Sequence, residues 1–259
     1  MSSRVRALTI CAALVLALLV TAALAPLPYS LAYPGPTANV LGDNKGKPVI
    51  TISGADVRRT SGQLRMTAIV ATGPDASVHL PDVIRGWFRT DEAVMPSESV
   101  YPVGNSTKEV AQHNADEMRK SQDAAVGAAL GRLHRSARDV KVTLRLADIG
   151  GPSAGMMFAL GIIDKLDGDG AGGDLTGGRT LAGTGTIETD GTVGPVGGVP
   201  LKMRSAHRDG ARLFLVPKAE CSQALAERPR GMRLIPVTTL NSALNSLKAL
   251  KSGGAVPSC

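Results

Sequence analysis

The amino-acid sequence predicts an α/β (α+β) fold behind an apolar N-terminal helix, and three observations carry that reading. Strand and helix patterns alternate between Ser136 and Leu247. Within that block a period-two segment, Val140–Leu146, leads through Gly150-Gly151-Pro152-Ser153-Ala154-Gly155 into the continuous apolar run Met156–Ile163, the order of strand, turn and helix. At the other end, Ala7–Ala25 is a run of nineteen residues without a charge, preceded by Arg4 and Arg6. That length spans a bilayer with the N-terminus inside.

With 259 residues, 43% of them hydrophobic, the chain can bury one large core or two small ones. The expected division is a cytoplasmic tail (1–6), a transmembrane anchor (7–25), a stalk (26–39), an extracytoplasmic subdomain (40–135), a second domain (136–250) and a tail (251–259). The predicted location is the cell membrane, crossed once, with everything after the anchor outside. A cleavable signal peptide is the rival, because Ala23-Leu24-Ala25 has the small-x-small form; Pro26 directly after it and the length of the run favour a retained anchor. The net charge of +7 is scattered and aromatic residues make up only 3%, so base-stacking platforms are missing and nucleic acid is not an expected partner.

Taken in order, Pro26–Pro36 reads as a proline-rich stalk without a core. Val49–Ile52 and Leu64–Val70, separated by turn signals at Ser53-Gly54 and Ser61-Gly62, read as a hairpin. The lone tryptophan, Trp87, is expected to pack this subdomain. Ser106 with Glu109 offers a helix start, and Val110–Leu133 continues as a helix with a modest stripe at Met118, Ala125 and Ala129. Asp167–Asp174 resembles a calcium loop superficially, but Gly178 stands where the distal Glu would be needed, so no metal site is expected. Strand character follows at Thr180–Glu188, a short helix at Lys202–Gly210, buried strands at Leu213–Pro217 and Leu234–Val237, and a helix at Thr239–Leu250. Cys11 lies in the anchor. In an oxidising exterior the remaining pair, Cys221 and Cys259, reads as a disulfide tying the tail down, or as two free thiols.

Ser153 is a small residue hemmed in by glycine and proline at a helix start, where unpaired backbone N–H groups can hold an oxyanion. It reads as a nucleophile, or as a plain N-cap in a Gly/Pro/Ser turn. A serine needs a proton acceptor, and none of the four histidines stands in a telling pairing near it. Lys202, the one lysine between Lys165 and Lys218, has apolar neighbours that could desolvate it. Unperturbed, roughly one lysine in 2,500 is neutral at pH 7, and local context alone reads Lys202 as a solvated helix residue.

Together, Gly151-Pro152-Ser153-Ala154-Gly155, the glycine-rich segment Ala182–Gly198 and Lys202 resemble the proteolytic domain of Lon-type (S16) serine proteases. The resemblance covers about Ser136 to Leu247. It implies the Lon proteolytic-domain fold and a Ser153–Lys202 dyad in which Thr184 orients the lysine amine. It also implies contacts to a protein or peptide substrate around Gly151, Pro152, Gly183 and Gly185, with an extended peptide pairing near Gly183–Thr186. The anchor, Tyr33-Pro34-Gly35-Pro36, the tryptophan segment and Met118–Gln122 look like the membrane-anchored, externally facing Lon-like proteases of Gram-positive bacteria. Those usually carry a PDZ domain, for which no room is left between the long helix and Val140. No G-x-x-x-x-G-K-[ST] loop occurs, so ATP is not expected as a partner; no cofactor is expected either. Homo-oligomeric rings are implied by the resemblance alone. Two rivals remain: an α/β-hydrolase built on G-x-S-x-G with Asp174 or Asp190 and His207, and an inactive membrane-tethered scaffold.

Overall fold

The computed structural model describes residues 2–102, 106–146 and 151–259. In chain order they form α1 (Ser3–Leu24), β1 (Tyr29–Asn39), β2 (Asp43–Asn44), β3 (Lys47–Pro48), β4 (Ile50–Ser53), β5 (Gln63–Ala71), α2 (Leu80–Phe88), β6 (Ala93–Pro96), α3 (Ser97–Val100), α4 (Thr107–Arg132) and β7 (Lys141–Leu144). After a 3-10 turn at Pro152–Ala154 come α5 (Gly155–Leu166), β8 (Thr180–Gly183), β9 (Thr186–Ile187), β10 (Val193–Gly194), α6 (Val199–Arg208), β11 (Leu213–Pro217), α7 (Cys221–Ala226), β12 (Arg233–Val237) and α8 (Leu240–Ser252). These divide into one unit of Met1–Tyr33 with Ala71–Val110 and a second of Pro34–Val70 with Ala111–Cys259.

In the first unit, α1 is long and apolar enough to cross a membrane, with a window of mean hydropathy 2.6 and no buried residue. The start of β1 pairs antiparallel with β6, Tyr29 opposite Pro96 and Ala32 opposite Ala93. One side of α2 closes over that ribbon and buries Val83 with Leu31 and Val78. Gly86 permits the contact, since a Cβ there would sit 2.8 Å from Val94 Cγ2. Trp87 does not pack this unit as expected. It lies 74% exposed on the last turn of α2.

The second unit holds the main core. Strands β12, β11, β8 and β5 run side by side, each neighbouring pair parallel, and β1 extends the sheet beyond β5. The segment expected as a structureless stalk is therefore strand. Pro34-Gly35-Pro36 fits there because a Cβ on Gly35 would lie 2.6 Å from the Ala68 carbonyl oxygen, so only glycine lets the two backbones come this close. The expected hairpin does not form either. β4 pairs antiparallel with β7, Ile50 opposite Leu144, and β5 pairs with β8. β5 instead lies between β8, a parallel partner more than a hundred positions away, and β1, so both of its edges are covered within the sheet.

Helix α5 occupies the centre of this unit. Its residues are buried all round except Lys165, and Gly161 admits the side chains of Ile50 and Val40 against its backbone. Met118, Ala125 and Ala129 of α4 are buried in the same cluster. Thr239 caps α8 by accepting from the Ser242 N–H at 3.1 Å.

Candidate active site

The turn carrying Ser153 is fixed by backbone hydrogen bonds from two directions. Gly151, at φ 89°, donates its N–H to the Asn114 carbonyl of α4 at 3.1 Å. Ser121, also on α4, donates its hydroxyl to the Pro152 carbonyl at 2.9 Å. On the other side the Gly185 N–H donates to the Ser153 carbonyl at 3.0 Å, and the Met156 N–H to the Gly185 carbonyl at 3.2 Å. Gly155 lets the turn seat this closely: a Cβ there would stand 2.8 Å from both Ile187 Cγ2 and Ser121 Oγ. Ser153 itself is half-buried, on a 3-10 turn running into α5 and not at a simple N-cap. Gly150 of the motif lies outside the described residues.

Lys202 arrives from a different element under opposite conditions. Helix α6 starts behind Gly198, which has left-handed φ of 69°, and Pro200 takes a first-turn position where its missing N–H costs nothing. Lys202 follows in the same turn and is only 3% exposed. Burial pushes its pKa down to about 8, partly opposed by the negative charge of Glu220. The positive end of the α6 dipole acts in the same direction as burial.

Thr184 joins the two. It is fully buried just past β8 and accepts a hydrogen bond from Lys202 Nζ at 3.2 Å. Its own proton goes to the Ser153 carbonyl, also at 3.2 Å. A hydroxyl has one proton, so its donation toward Ser153 leaves lone pairs facing the lysine. The structure thus brings together Ser153, Thr184 and Lys202 from three separate stretches of sequence.

Other expected site residues are engaged differently. Gly183 is interior to the sheet, paired with β11 and β5, and its carbonyl accepts from Thr67 Oγ1 at 3.2 Å. Gly185 spends both backbone groups on the Ser153 turn, and Thr186 pairs with Gly194. Thr184 donates its N–H to the Leu215 carbonyl at 3.1 Å. Gly151 and Pro152 likewise hold the turn through the bonds given above. Cys221 and Cys259 are disulfide-bonded with their Cα atoms 5.3 Å apart.

The histidine rival finds no geometry. His207 Nε2 pairs with the Arg230 carbonyl, Asp174 accepts from Ser61 and Asp190 accepts from the Thr192 N–H. None of these contacts involves Ser153. A cleft of about 700 Å³ lined by Ala128, Arg132, His134, Asp190, Thr239 and Asn241 also contains none of Ser153, Thr184 or Lys202.

A family model of the Lon protease (S16) C-terminal proteolytic domain matches residues 94–249. The chain belongs to the Lon protease (S16) family. It is 35% identical over 102 residues to Lon protease 2 of Bacillus subtilis (strain 168), covering 38% of this chain and 17% of that protein. To Lon protease 1 of Sorangium cellulosum (strain So ce56) it is 28% identical over 171 residues, covering 64% of this chain and 20% of the other. The chain thus spans about a fifth of the length of these curated relatives. Its α/β architecture is that of the S16 proteolytic domain.

Two residues beside the candidate site were not singled out from the sequence. Glu220, just before α7, carries a charge that acts against the desolvation of Lys202, and its own carboxyl is pushed up by burial. Ser121 fixes the Pro152 carbonyl. Glu220 gave no local signal, since its proximity to Lys202 arises from packing. Ser121 lies within Met118–Gln122, where nothing in the local sequence gives its hydroxyl a partner.

Proposed function

We propose that this chain is a serine endopeptidase in which Ser153 is the nucleophile, Lys202 the general base and Thr184 the residue positioning the lysine amine. The observation that carries the reading is the hydrogen-bonded chain from the buried Lys202 amine through Thr184 Oγ1 to the backbone carbonyl of half-buried Ser153. With a pKa of about 8, roughly one Lys202 in ten is neutral at pH 7, against one in 2,500 for an unperturbed lysine. The neutral amine takes the Ser153 hydroxyl proton while the oxygen attacks the peptide carbonyl. The resulting ammonium returns that proton to the leaving amine, giving an acyl-serine. Water then attacks the ester, passing a proton to Lys202 and on to Ser153 Oγ as the acid departs.

Helix α1 supports a second component, a single-pass anchor with the S16 domain on the outer side of a membrane; Arg4 and Arg6 before the apolar run favour that orientation. The disulfide fits an oxidising exterior. The 259 residues contain no phosphate-binding loop, so the proposed substrates are accessible or unfolded segments of exported proteins, cleaved without nucleotide.

The test is hydrolysis of an unfolded protein by the full chain in detergent, beside folded Ser153→Ala and Lys202→Gln variants. Both are expected to lose at least about 10⁴-fold in kcat. Full activity in either variant would sink the dyad. Absence of cleavage by the unaltered chain would favour the scaffold.

A further inference from the structure

Helix α2 has two apolar sides, and the fold uses only one. Val83 and Gly86 face the β1–β6 ribbon, while Leu80, Ile84, Trp87 and Phe88, spaced along one face, stay 37%, 44%, 74% and 85% exposed. The polar side is separate: Asp82 accepts from His79 N–H at 3.1 Å and from Arg85 Nη2 at 2.8 Å. Two aromatic rings so exposed on a nine-residue helix call for an occupant.

The position of α2 says which one. Leu27, three residues past the end of α1, donates its N–H to the Val78 carbonyl at 2.8 Å, and Val78 is two residues before α2 begins. Three extended residues reach at most about 11 Å. The headgroup layer beyond a bilayer's hydrocarbon core is roughly 5–8 Å deep on each side. Moreover, Cα atoms of α1 and α2 come within 8 Å of each other. A helix tied to the exit of a membrane span therefore lies at headgroup depth, where an indole and a phenyl ring are favoured.

The geometry points to α2 as an interfacial membrane-docking helix, its Leu80–Ile84–Trp87–Phe88 face embedded in the lipid surface beside the exit of α1. This rests on the reading of α1 as an anchor and adds to it. A lone span leaves the unit after it free to swivel. A second, in-plane attachment fixes the angle of the first unit to the membrane.

Trp87 is the chain's single tryptophan, so its fluorescence reports this face alone. The full chain would be reconstituted into phosphatidylcholine–phosphatidylglycerol vesicles, with insertion of α1 read by resistance to carbonate extraction. The expected result is Trp87 emission at shorter wavelength than in a Phe88→Glu, Ile84→Glu variant, quenched by lipids brominated near the headgroup and protected from aqueous iodide. The variant, whose changed positions are both exposed, is expected to remain inserted and lose the brominated-lipid quenching. Carbonate extraction of the unaltered chain would overturn the anchor and this inference together. Retention of the chain with Trp87 open to iodide and unaffected by brominated lipid would overturn the inference alone. Protection from iodide without lipid quenching would mean a protein contact, such as a second copy, and would overturn it too.

Discussion

Ser153 and Lys202 meet at one threonine but are held there by opposite means. Ser153 is half-buried, and its backbone is gripped by hydrogen bonds to α4 and to Gly185. Lys202 is sealed inside, positioned by the apolar packing of α6 and by one bond to Thr184. A hydroxyl nucleophile needs precise backbone placement and access to substrate, and it can keep both without energetic cost. An amine base needs a depressed pKa, which only removal from water supplies, so the folded state bears that cost.

The sharpest break of this comparison is Lys202→Met. Activity is expected to fall by at least about 10⁴-fold, as for Ser153→Ala, yet the two variants should separate in stability. Lys202 has a folded pKa of about 8 against 10.5 in the open chain. Between these values the unfolded chain binds the proton and the folded one does not, so stability rises with pH across that window; below about pH 8 the full penalty, about 3 kcal/mol, stays in place. Denaturation at pH 7 should therefore show Lys202→Met more stable than the unaltered chain by up to about 3 kcal/mol, with the gap closing toward pH 10.5. Ser153→Ala should lie within about 0.5 kcal/mol. In the unaltered chain kcat/KM is expected to climb with pH and level off above about 8, as the amine loses its proton.

Next in size, Cys259→Ser opens a disulfide with sequence separation 38 and should cost about 4 kcal/mol by denaturant titration under oxidising conditions. The loss should be in stability, sparing the pH midpoint of catalysis, because Glu220 and Lys202 keep their partners. Thr184→Val removes the shared hydroxyl. We expect kcat to drop about 10–100-fold, equal to roughly 1.4–2.7 kcal/mol, and the pH midpoint to move lower, since the Lys202 ammonium loses its acceptor. Thr184→Ser should restore most of both; an unmoved midpoint would leave the threonine a merely structural role. Smallest is Gly155→Ala, whose methyl meets Ile187 and Ser121 at 2.8 Å and should cost about 1–2 kcal/mol with a several-fold slower reaction.

The same contrast explains what the sequence disclosed. The Ser153 turn was legible because its determinants, proline, glycines and the apolar run behind them, are contiguous. Lys202 was not legible by itself: local context read as a solvated helix lysine, and its burial depends on Val199, Met203 and residues of distant strands. Helices α5, α6 and α8 and strands β11 and β12 followed their patterns. The pairing of β4 and β5 did not, because turn signals at Ser61-Gly62 suggested a local hairpin while β4 takes an antiparallel partner, β7, and β5 a parallel one, β8, from far along the chain. Prolines in β1 concealed a strand, and the close approach at Gly35 that makes it possible has no signature in one sequence. Trp87 was assigned to the interior on the general rule for aromatics, which holds for a protein surrounded only by water.

One further consequence follows from the loop after α5. Asp169 accepts from the N–H groups of Ala171 and Gly173 at 2.8 and 2.9 Å, and from the ammonium of Lys251 on α8. Those partners hold its carboxyl far below the usual range, so it stays ionised well into acid. The loop that looks like a calcium site has its counter-ion covalently attached to the same chain. A tethered cation cannot be diluted away or stripped by a chelator, and a free ion would have to evict it. This joint between the core helix and α8 therefore stays indifferent to any supply of dissolved calcium.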